Sequence, residues 1–402
     1  SVNNLKREHC DVLIIGAGPA GLAFSLSLRQ AGLDVRLIER LPASVLADPG
    51  YDGRETALSM RSMGILKTIG AWDYIDAEHI SPLESALVTD GYRDDANLIF
   101  DPAAVGEDQL GCFVANNRIR KALFAAHADH GEAEIIDDAE MATLQASADG
   151  GWVRLKDGRT LAADLIVAAD SRFSAARRMA GVHVFQHDFH KTMIVSKVHL
   201  EQSHQRTAWE TFLPGGPVAI LPLNQNEASL VLTLAPEEAE RLMDLTIDSY
   251  LEEANQRIAH RYGNITPRSD RFKWPLIGIY PRSFVLPGFA LIGDAALGMH
   301  PITAHGYNLG VQGQSILAGH IVNAVRQGRN AADADALAAY QREFRKHSAG
   351  MYFSTLAIAE LYSHEHLPAR MLRGALFDAG RILSPARRLI VKTLTQPMSA
   401  RS

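Results

Sequence analysis

The chain has 402 residues, 47% of them hydrophobic and 21% charged, with a formal net charge of −6. That length suits two or three domains, or one large domain with an inserted sheet, and the composition is that of a globular protein. The acidic balance and the lack of a basic stripe interleaved with aromatics exclude general nucleic-acid binding, and two distant cysteines, Cys10 and Cys112, exclude a disulfide framework or a CxxC zinc site. The polar start, Ser1 to His9, does not read as a signal peptide, and no apolar run nears the roughly 18 residues of a membrane span. The expectation is therefore a cytoplasmic protein.

The first ordered stretch is Asp11-Val-Leu-Ile-Ile-Gly-Ala-Gly-Pro-Ala-Gly21. Val12 to Ile15 read as a buried strand, the glycines as a tight turn, and Leu22, Phe24, Leu26 and Leu28 as a helix that Ala31-Gly32 stops. Val35 to Glu39 is a second strand, which completes one βαβ unit. Gly16 permits the turn, Gly18 lets backbone approach a pyrophosphate, and Gly21 lets helix and strand pack closely. The helix N-terminus offers free N–H groups and partial positive charge to that pyrophosphate. Glu39, at the end of the second strand, stands where a carboxylate accepts hydrogen bonds from an adenosine ribose.

Residues 41–52 read as a loop, followed by Gly53-Arg-Glu-Thr-Ala-Leu-Ser59 and a helix ending at Gly70. Short strands over 80–115 turn at Asp90-Gly91 and Asp101-Pro102, and a helix resumes with Asn116 or Asn117 as its cap. A hairpin through Asp157-Gly158 runs into a buried strand ending at Asp170. Between 183 and 234 four strand-like runs suggest an antiparallel sheet, closed by one amphipathic helix over about Pro236 to Tyr262. Trp209 and Phe212 in that sheet suit an aromatic pocket or a core equally. Another apolar strand ends in Leu291-Ile-Gly-Asp294, and helices follow over Gly306 to Gln327 and about Asp333 to Tyr362.

Three separated stretches share one grammar, an apolar strand running into a polar cluster: Ile14 to Gly21, Ile166 to Arg177, and Leu291 to Gly310. In an open parallel sheet, ligands bind beyond the carboxyl ends of the strands, so three such ends can converge on one extended cofactor. A helix starting near Gly306 aims N–H groups at an anionic ring, and Asp294 can hold a ribityl hydroxyl. Arg172, Arg177 and Arg178 read as helix-terminal surface charges, and His364 with His366 as a solvated pair, so no metal site is expected.

With these motifs in this order, the sequence resembles the group A flavin monooxygenases of the p-hydroxybenzoate hydroxylase type. The run Met299-His-Pro-Ile-Thr-Ala-His-Gly-Tyr-Asn-Leu-Gly310 is most similar to their ubiquinone-biosynthesis branch, the UbiH, UbiI, UbiF and UbiM hydroxylases, and to UbiM members above all. The resemblance implies an α/β fold: a Rossmann-like FAD-binding domain, an inserted antiparallel β-sheet substrate domain, and a helical C-terminus. The expected boundaries are 1–80, 100–182 and 268–345 for the FAD-binding domain, 81–99 and 183–267 for the substrate domain, and 346–402 for the C-terminal helices. It implies that Gly16, Gly18, Ala20, Gly21, Glu39, Arg40, Arg118, Asp294, Gly306 and Asn308 hold FAD, and that Asp170 serves the contact with NAD(P)H as transient reductant. Arg54, His300 and Pro301 are implied at the reacting face. Departures from the family pattern are Ser171 after the middle aspartate, Leu297 in place of a histidine, and Ala304-His305 before Gly306.

The implied activity is hydroxylation, through a C4a-hydroperoxyflavin, of the ring of a polyprenylated phenol or quinol in ubiquinone synthesis, with O₂ as co-substrate. Other readings are a flavin monooxygenase for a soluble aromatic and a non-catalytic flavin-loaded subunit of a multi-enzyme quinone-synthesis complex; homo-oligomers are an equal expectation. Residues 368–402 carry seven basic residues against the single acid Asp378, seven minus one giving +6, interleaved with apolar Leu383, Leu389, Ile390, Val391 and Leu394. Such a segment suits peripheral contact with the inner face of the membrane or a partner subunit.

Overall fold

The computed structural model describes residues 8–91, 97–100, 109–298 and 306–363. The first sheet is built on β1 (Glu8–Ile15), whose Val12, Leu13 and Ile14 have no exposed surface. Burial on both faces is why this strand reads as a continuous apolar run. Parallel neighbours flank it: β2 (Val35–Ile38) with β8 (Glu134–Ile136) on one side, β11 (Thr160–Ala168) and β18 (Phe289–Leu291) on the other. Three antiparallel strands extend this sheet, β9 (Met141–Gln145), β10 (Gly151–Leu155) and β17 (Val285–Leu286). The carboxyl ends of β1, β11 and β18 thus lie side by side.

Helix α1 (Pro19–Ser27) begins with proline at its first position, where the missing N–H costs nothing. It packs on α4 (Asn116–His130), which also carries the short α2 (Ala43–Ala47). A small sheet, β3 (Glu55–Leu58), β7 (Gly111–Ala115) and β4 (Ser81–Leu83), stands beside α3 (Met60–Thr68). The N-cap of α4 is Ala115 rather than the expected Asn116 or Asn117: the Asn116 N–H donates to the Arg54 carbonyl at 2.9 Å, so the chain passes from strand to helix without a side-chain cap.

The second sheet runs in the order β16 (Ile265–Pro281), β12 (Val184–Leu200), β15 (Glu227–Leu234), β14 (Val218–Pro222), β13 (Thr207–Phe212), β5 (Ser85–Asp90), β6 (Asn97–Phe100). All its pairs are antiparallel except β5 with β13. The expected boundary at 267/268 falls inside β16, which pairs with β12 along most of its length, so ladder continuity carries this sheet on to Pro281. The single helix expected over 236–262 is two, α6 (Pro236–Asp244) and α7 (Ile247–Arg257). Leu245 is extended, and Thr246 caps α7 by accepting from the Ser249 N–H at 3.2 Å.

Side chains alternate across these strands. One face buries Ile194, Val198, Trp209, Ile220 and Leu230 under α6 and α7, which makes Trp209 a core residue, its ring 6.2 Å from that of Tyr262. The other face looks toward the first domain. Helices α8 (Gly306–Arg326) and α9 (Ala334–Ser363) close the first domain, and Tyr340 Oη on α9 donates to the Leu291 carbonyl of β18 at 2.6 Å. No helix among the described residues is long and apolar enough to cross a membrane.

Candidate active site

Gly16 follows β1 with φ at +107°, and a Cβ there would sit 2.6 Å from the Ala169 carbonyl oxygen at the end of the β11 segment. Only glycine lets these two strand ends touch. A Cβ on Gly21 would meet the Gly16 oxygen at 1.9 Å, whereas a Cβ on Gly18 would meet nothing within 4 Å. Two glycines are thus consumed by packing, and the third leaves open space at the N-terminus of α1, where Gly18 caps the helix with no side-chain bond. The first-turn N–H groups have no intrahelical acceptor. Open space beside free N–H groups suits a pyrophosphate. Glu39 is fixed beside it: Oε1 accepts from the Ala17 N–H at 3.1 Å and Oε2 from the Leu41 N–H at 3.0 Å. A carboxylate has about four lone-pair positions, so this one keeps capacity for ribose hydroxyls. Arg40, next in the chain, is exposed.

Ala20 packs its methyl against Gly293, where a Cβ would come within 2.4 Å of it, so α1 seats the third strand end. Asp294 is exposed at that end. The neighbouring Tyr307 hydroxyl is held above its ordinary range by burial, and the Asp294 charge adds to this. Gly306 opens α8 half-buried. Asn308 is committed to backbone: Nδ2 donates to the Ala57 carbonyl at 2.7 Å, and Oδ1 accepts from the Ser59 N–H at 2.9 Å. It positions the first turn of α8 against β3, a role the sequence did not separate from cofactor contact. His300 and Pro301 lie outside the described residues.

Asp170 ends the β11 segment and accepts hydrogen bonds from Ser174 Oγ and, at 3.3 Å, from the Ala176 N–H of α5 (Ala175–Ala180). Arg177 is no surface charge. It is 3% exposed, and its guanidinium donates to the carbonyls of Ala295 at 2.8 Å and Arg172 at 2.9 Å. Burial lowers its pKa and Asp170 opposes that shift. Arg172 in turn donates to the Ile277 carbonyl at 2.9 Å; Arg178 alone of the three is exposed.

Arg118 is half-buried in the first turn of α4, and after burial its charge is the main force lowering the His79 pKa. Arg120, which sequence reasoning missed, feels both ends of the site. Burial and Arg54 push its pKa down, while Asp52 and Glu39 hold it up. Its only signal was a second arginine in a helix start already assigned one. Arg54 pairs with Asp52 through Nη2 at 2.6 Å and Nε at 2.9 Å, and its guanidinium lies 5.1 Å from the ring centroid of Trp274 on the second sheet. Close by, Tyr51 donates to Glu55 at 3.0 Å, and Lys197 lies 4.6 Å from the Tyr51 ring centroid. Burial pushes the Glu55 carboxyl up to about 7 against the pull of Lys197.

A parallel sheet with three strand ends side by side, faced by a second sheet, suits an extended dinucleotide cofactor. A model of the FAD binding domain family matches residues 9–353. The chain is 37% identical to the ubiquinone hydroxylase UbiM of Neisseria meningitidis over 96% of its own length and 85% of that protein's. It is 31% identical to the 3-demethoxyubiquinol 3-hydroxylase of Escherichia coli over 84% and 86%. The crystal structure of p-nitrophenol 4-monooxygenase PnpA from Pseudomonas putida matches it in fold, with a TM-score of 0.78 at 18% identity over 98% of this chain and 100% of that one. The chain belongs to the FAD-binding monooxygenase family, in its ubiquinone-hydroxylase branch. The residues present fit FAD: open space at Gly18, an anchored Glu39 and an exposed Asp294 suit its pyrophosphate, ribose and ribityl parts.

Proposed function

We propose that this protein hydroxylates the aromatic ring of a polyprenylated phenol or quinol of ubiquinone synthesis, with O₂ as co-substrate and NAD(P)H as transient reductant. The observation that carries this reading is the meeting of the cofactor cradle with an apolar sheet face. Met193, Val195 and Val231 cluster with Trp274 on that face, opposite the loop bearing Arg54. The kinship with ubiquinone hydroxylases supports the same substrate class.

FAD, once reduced, supplies the activation of O₂. The chain supplies the rest. Backbone at Gly18 receives the pyrophosphate, Glu39 the ribose and Asp294 the ribityl chain. The apolar face takes the ring and excludes water. Arg54 stabilises negative charge developing on the ring oxygen. Asp170 serves the nicotinamide contact through the turn it holds. The test is complementation of strains each lacking one ubiquinone hydroxylase, with identification of the restored quinone intermediate. Restoration in none of them, together with no oxygen uptake on any quinol precursor, favours a non-catalytic flavoprotein subunit.

The lipid tail of such a substrate stays in the bilayer, and the basic C-terminal segment is the part proposed to meet the inner face of the membrane. Each basic residue near anionic lipid adds about 1 kcal/mol. Liposome flotation with and without residues 368–402 decides between that and a partner subunit. Cross-linking and mass measurement of the holoenzyme distinguish a monomer from a homo-oligomer.

A further inference from the structure

Gly53 stands at a point where the two domains touch. Its φ is +84°, so the loop turns sharply there, and a Cβ on it would lie 2.6 Å from Cδ2 of Phe272. The Phe272 ring fills the notch that the missing side chain leaves. On β16, Phe272 stands opposite Val195 of β12 and Trp274 opposite Met193. All four side chains therefore share the face that looks toward the first domain. A strand step of two residues, about 7 Å, separates Phe272 from Trp274. The loop follows the same step, because Gly53 meets Phe272 and the Arg54 guanidinium lies 5.1 Å from the Trp274 ring centroid. Two successive loop residues rest on two successive side chains of one face of β16.

Tyr51 pins the same loop. Its ring stands edge-on to Phe272, with centroids 5.7 Å apart and planes at 86°. Its hydroxyl donates to Glu55 Oε1 on β3 at 3.0 Å, and Lys197 Nζ of β12 lies 4.6 Å from its centroid. Arg54 is held from both domains. Its carbonyl accepts from the Asn116 N–H of α4, whereas its side chain reaches the second sheet. Asp52 accepts from Nε and Nη2, and among the described residues no hydrogen bond engages Nη1. A side chain this long and 43% exposed has many rotamers open to it. Its aim is set by where the loop sits on the sheet, and the Phe272 ring is what the loop sits on.

We infer that Phe272 is a positioning residue for Arg54: by filling the notch at Gly53 it seats the Tyr51–Arg54 loop on the second sheet and so aims the guanidinium at the substrate ring. This rests on the hydroxylase reading above. The sheet that takes the ring then also orients the cation that meets the charge developing on it. Displacing such a group by about an ångström costs up to about 10²-fold in rate.

The test uses FAD-loaded wild type, Phe272→Ala, Phe272→Leu, Arg54→Ala and the Phe272→Ala/Arg54→Ala double variant. Single-turnover hydroxylation of a short-chain prenylphenol is measured beside FAD affinity and amide hydrogen exchange. Phe272→Ala should slow hydroxylation by about 10- to 100-fold with FAD affinity unchanged, and Phe272→Leu should recover part of the loss. Exchange should quicken across residues 51–55 and stay as in wild type along α4. The double variant should be no slower than Arg54→Ala, because residues that act through one another are not additive. Losses that multiply mean that Phe272 touches the substrate or supports the fold at large, and they overturn the assignment. Unchanged exchange across 51–55 overturns it as well, as does an unslowed Phe272→Ala. A wild type that binds the prenylphenol and never hydroxylates it overturns the hydroxylase reading, and this role with it; that outcome is distinct from an active wild type whose variants are unaffected.

Discussion

The guanidinium of Arg177 donates to the Ala295 carbonyl at 2.8 Å, a bond that joins the turn after one parallel strand to the turn after its neighbour. With its second bond, to Arg172, it holds together the Asp170 loop and the Gly293-Asp294 turn, both of which face the cradle. Arg177→Met keeps the volume and strands both carbonyls. Hydrogen bonds to charged groups contribute about 1.5–3 kcal/mol each, so the variant is expected to melt well below wild type and to hold FAD less tightly. Unchanged melting and unchanged FAD affinity would remove Arg177 from the architecture of the site.

The glycines make opposite predictions. Gly18→Val projects into open space, so the protein should fold but lose FAD, because the branched side chain fills the pyrophosphate position. Gly21→Ala places a Cβ 1.9 Å from the Gly16 oxygen and should damage the fold itself. A folded Gly18→Val protein that is yellow and FAD-loaded refutes the cradle. A Gly21→Ala protein as stable as wild type refutes the packing role.

How far the sequence foretold this site follows from the range of the contacts. The first βαβ unit was legible because strand, glycine turn and helix are all encoded within residues 11–39, and Gly16 and Gly21 have the tight surroundings that their spacing implied. Arg177 was misjudged as a surface charge because its acceptor Ala295 is 118 residues away, and nothing local marks a buried arginine. Asn308 showed its amide but not its partners, which lie about 250 residues earlier. The break between α6 and α7 was there to be read, since Thr246 sits three residues before Ser249 in capping register, but the apolar period continues through it.

Glu55 carries a stability prediction with a definite sign. Burial raises its carboxyl from 4.5 to about 7, so the folded state holds this proton more tightly than the unfolded chain does. Stability therefore falls as pH rises from about 4.5 to about 7, then levels. Glu55→Gln still accepts from Tyr51 but cannot ionise. Melting curves of the two proteins should coincide near pH 4.5 and diverge above it, with the Gln variant the more stable at pH 8. A difference that stays constant across this range excludes the shift.

Arg54 is the residue proposed to meet the charge that develops on the ring. Its carbonyl accepts from the Asn116 N–H, which fixes the backbone, while its guanidinium is 43% exposed between Asp52 and the Trp274 ring. An exposed ion pair of this kind contributes about 0–1 kcal/mol to stability, so Arg54→Ala should melt close to wild type. The backbone and FAD contacts proposed at Gly18, Glu39 and Asp294 do not pass through the Arg54 side chain, so FAD affinity should fall only slightly. The loss should appear in hydroxylation, because charge developing on the ring oxygen loses the cation aimed at it; removing one such group commonly costs about 10²–10³ in rate. Arg54→Lys keeps the charge but not the planar fork, and should recover part of that loss. The measurement is single-turnover hydroxylation of a short-chain prenylphenol beside FAD titration for each variant. Should Arg54→Ala hydroxylate at the wild-type rate, the guanidinium has no part in the reaction. Should FAD affinity fall as steeply as the rate, Arg54 is a cofactor ligand, and its place beside Trp274 belongs to the joint between the domains.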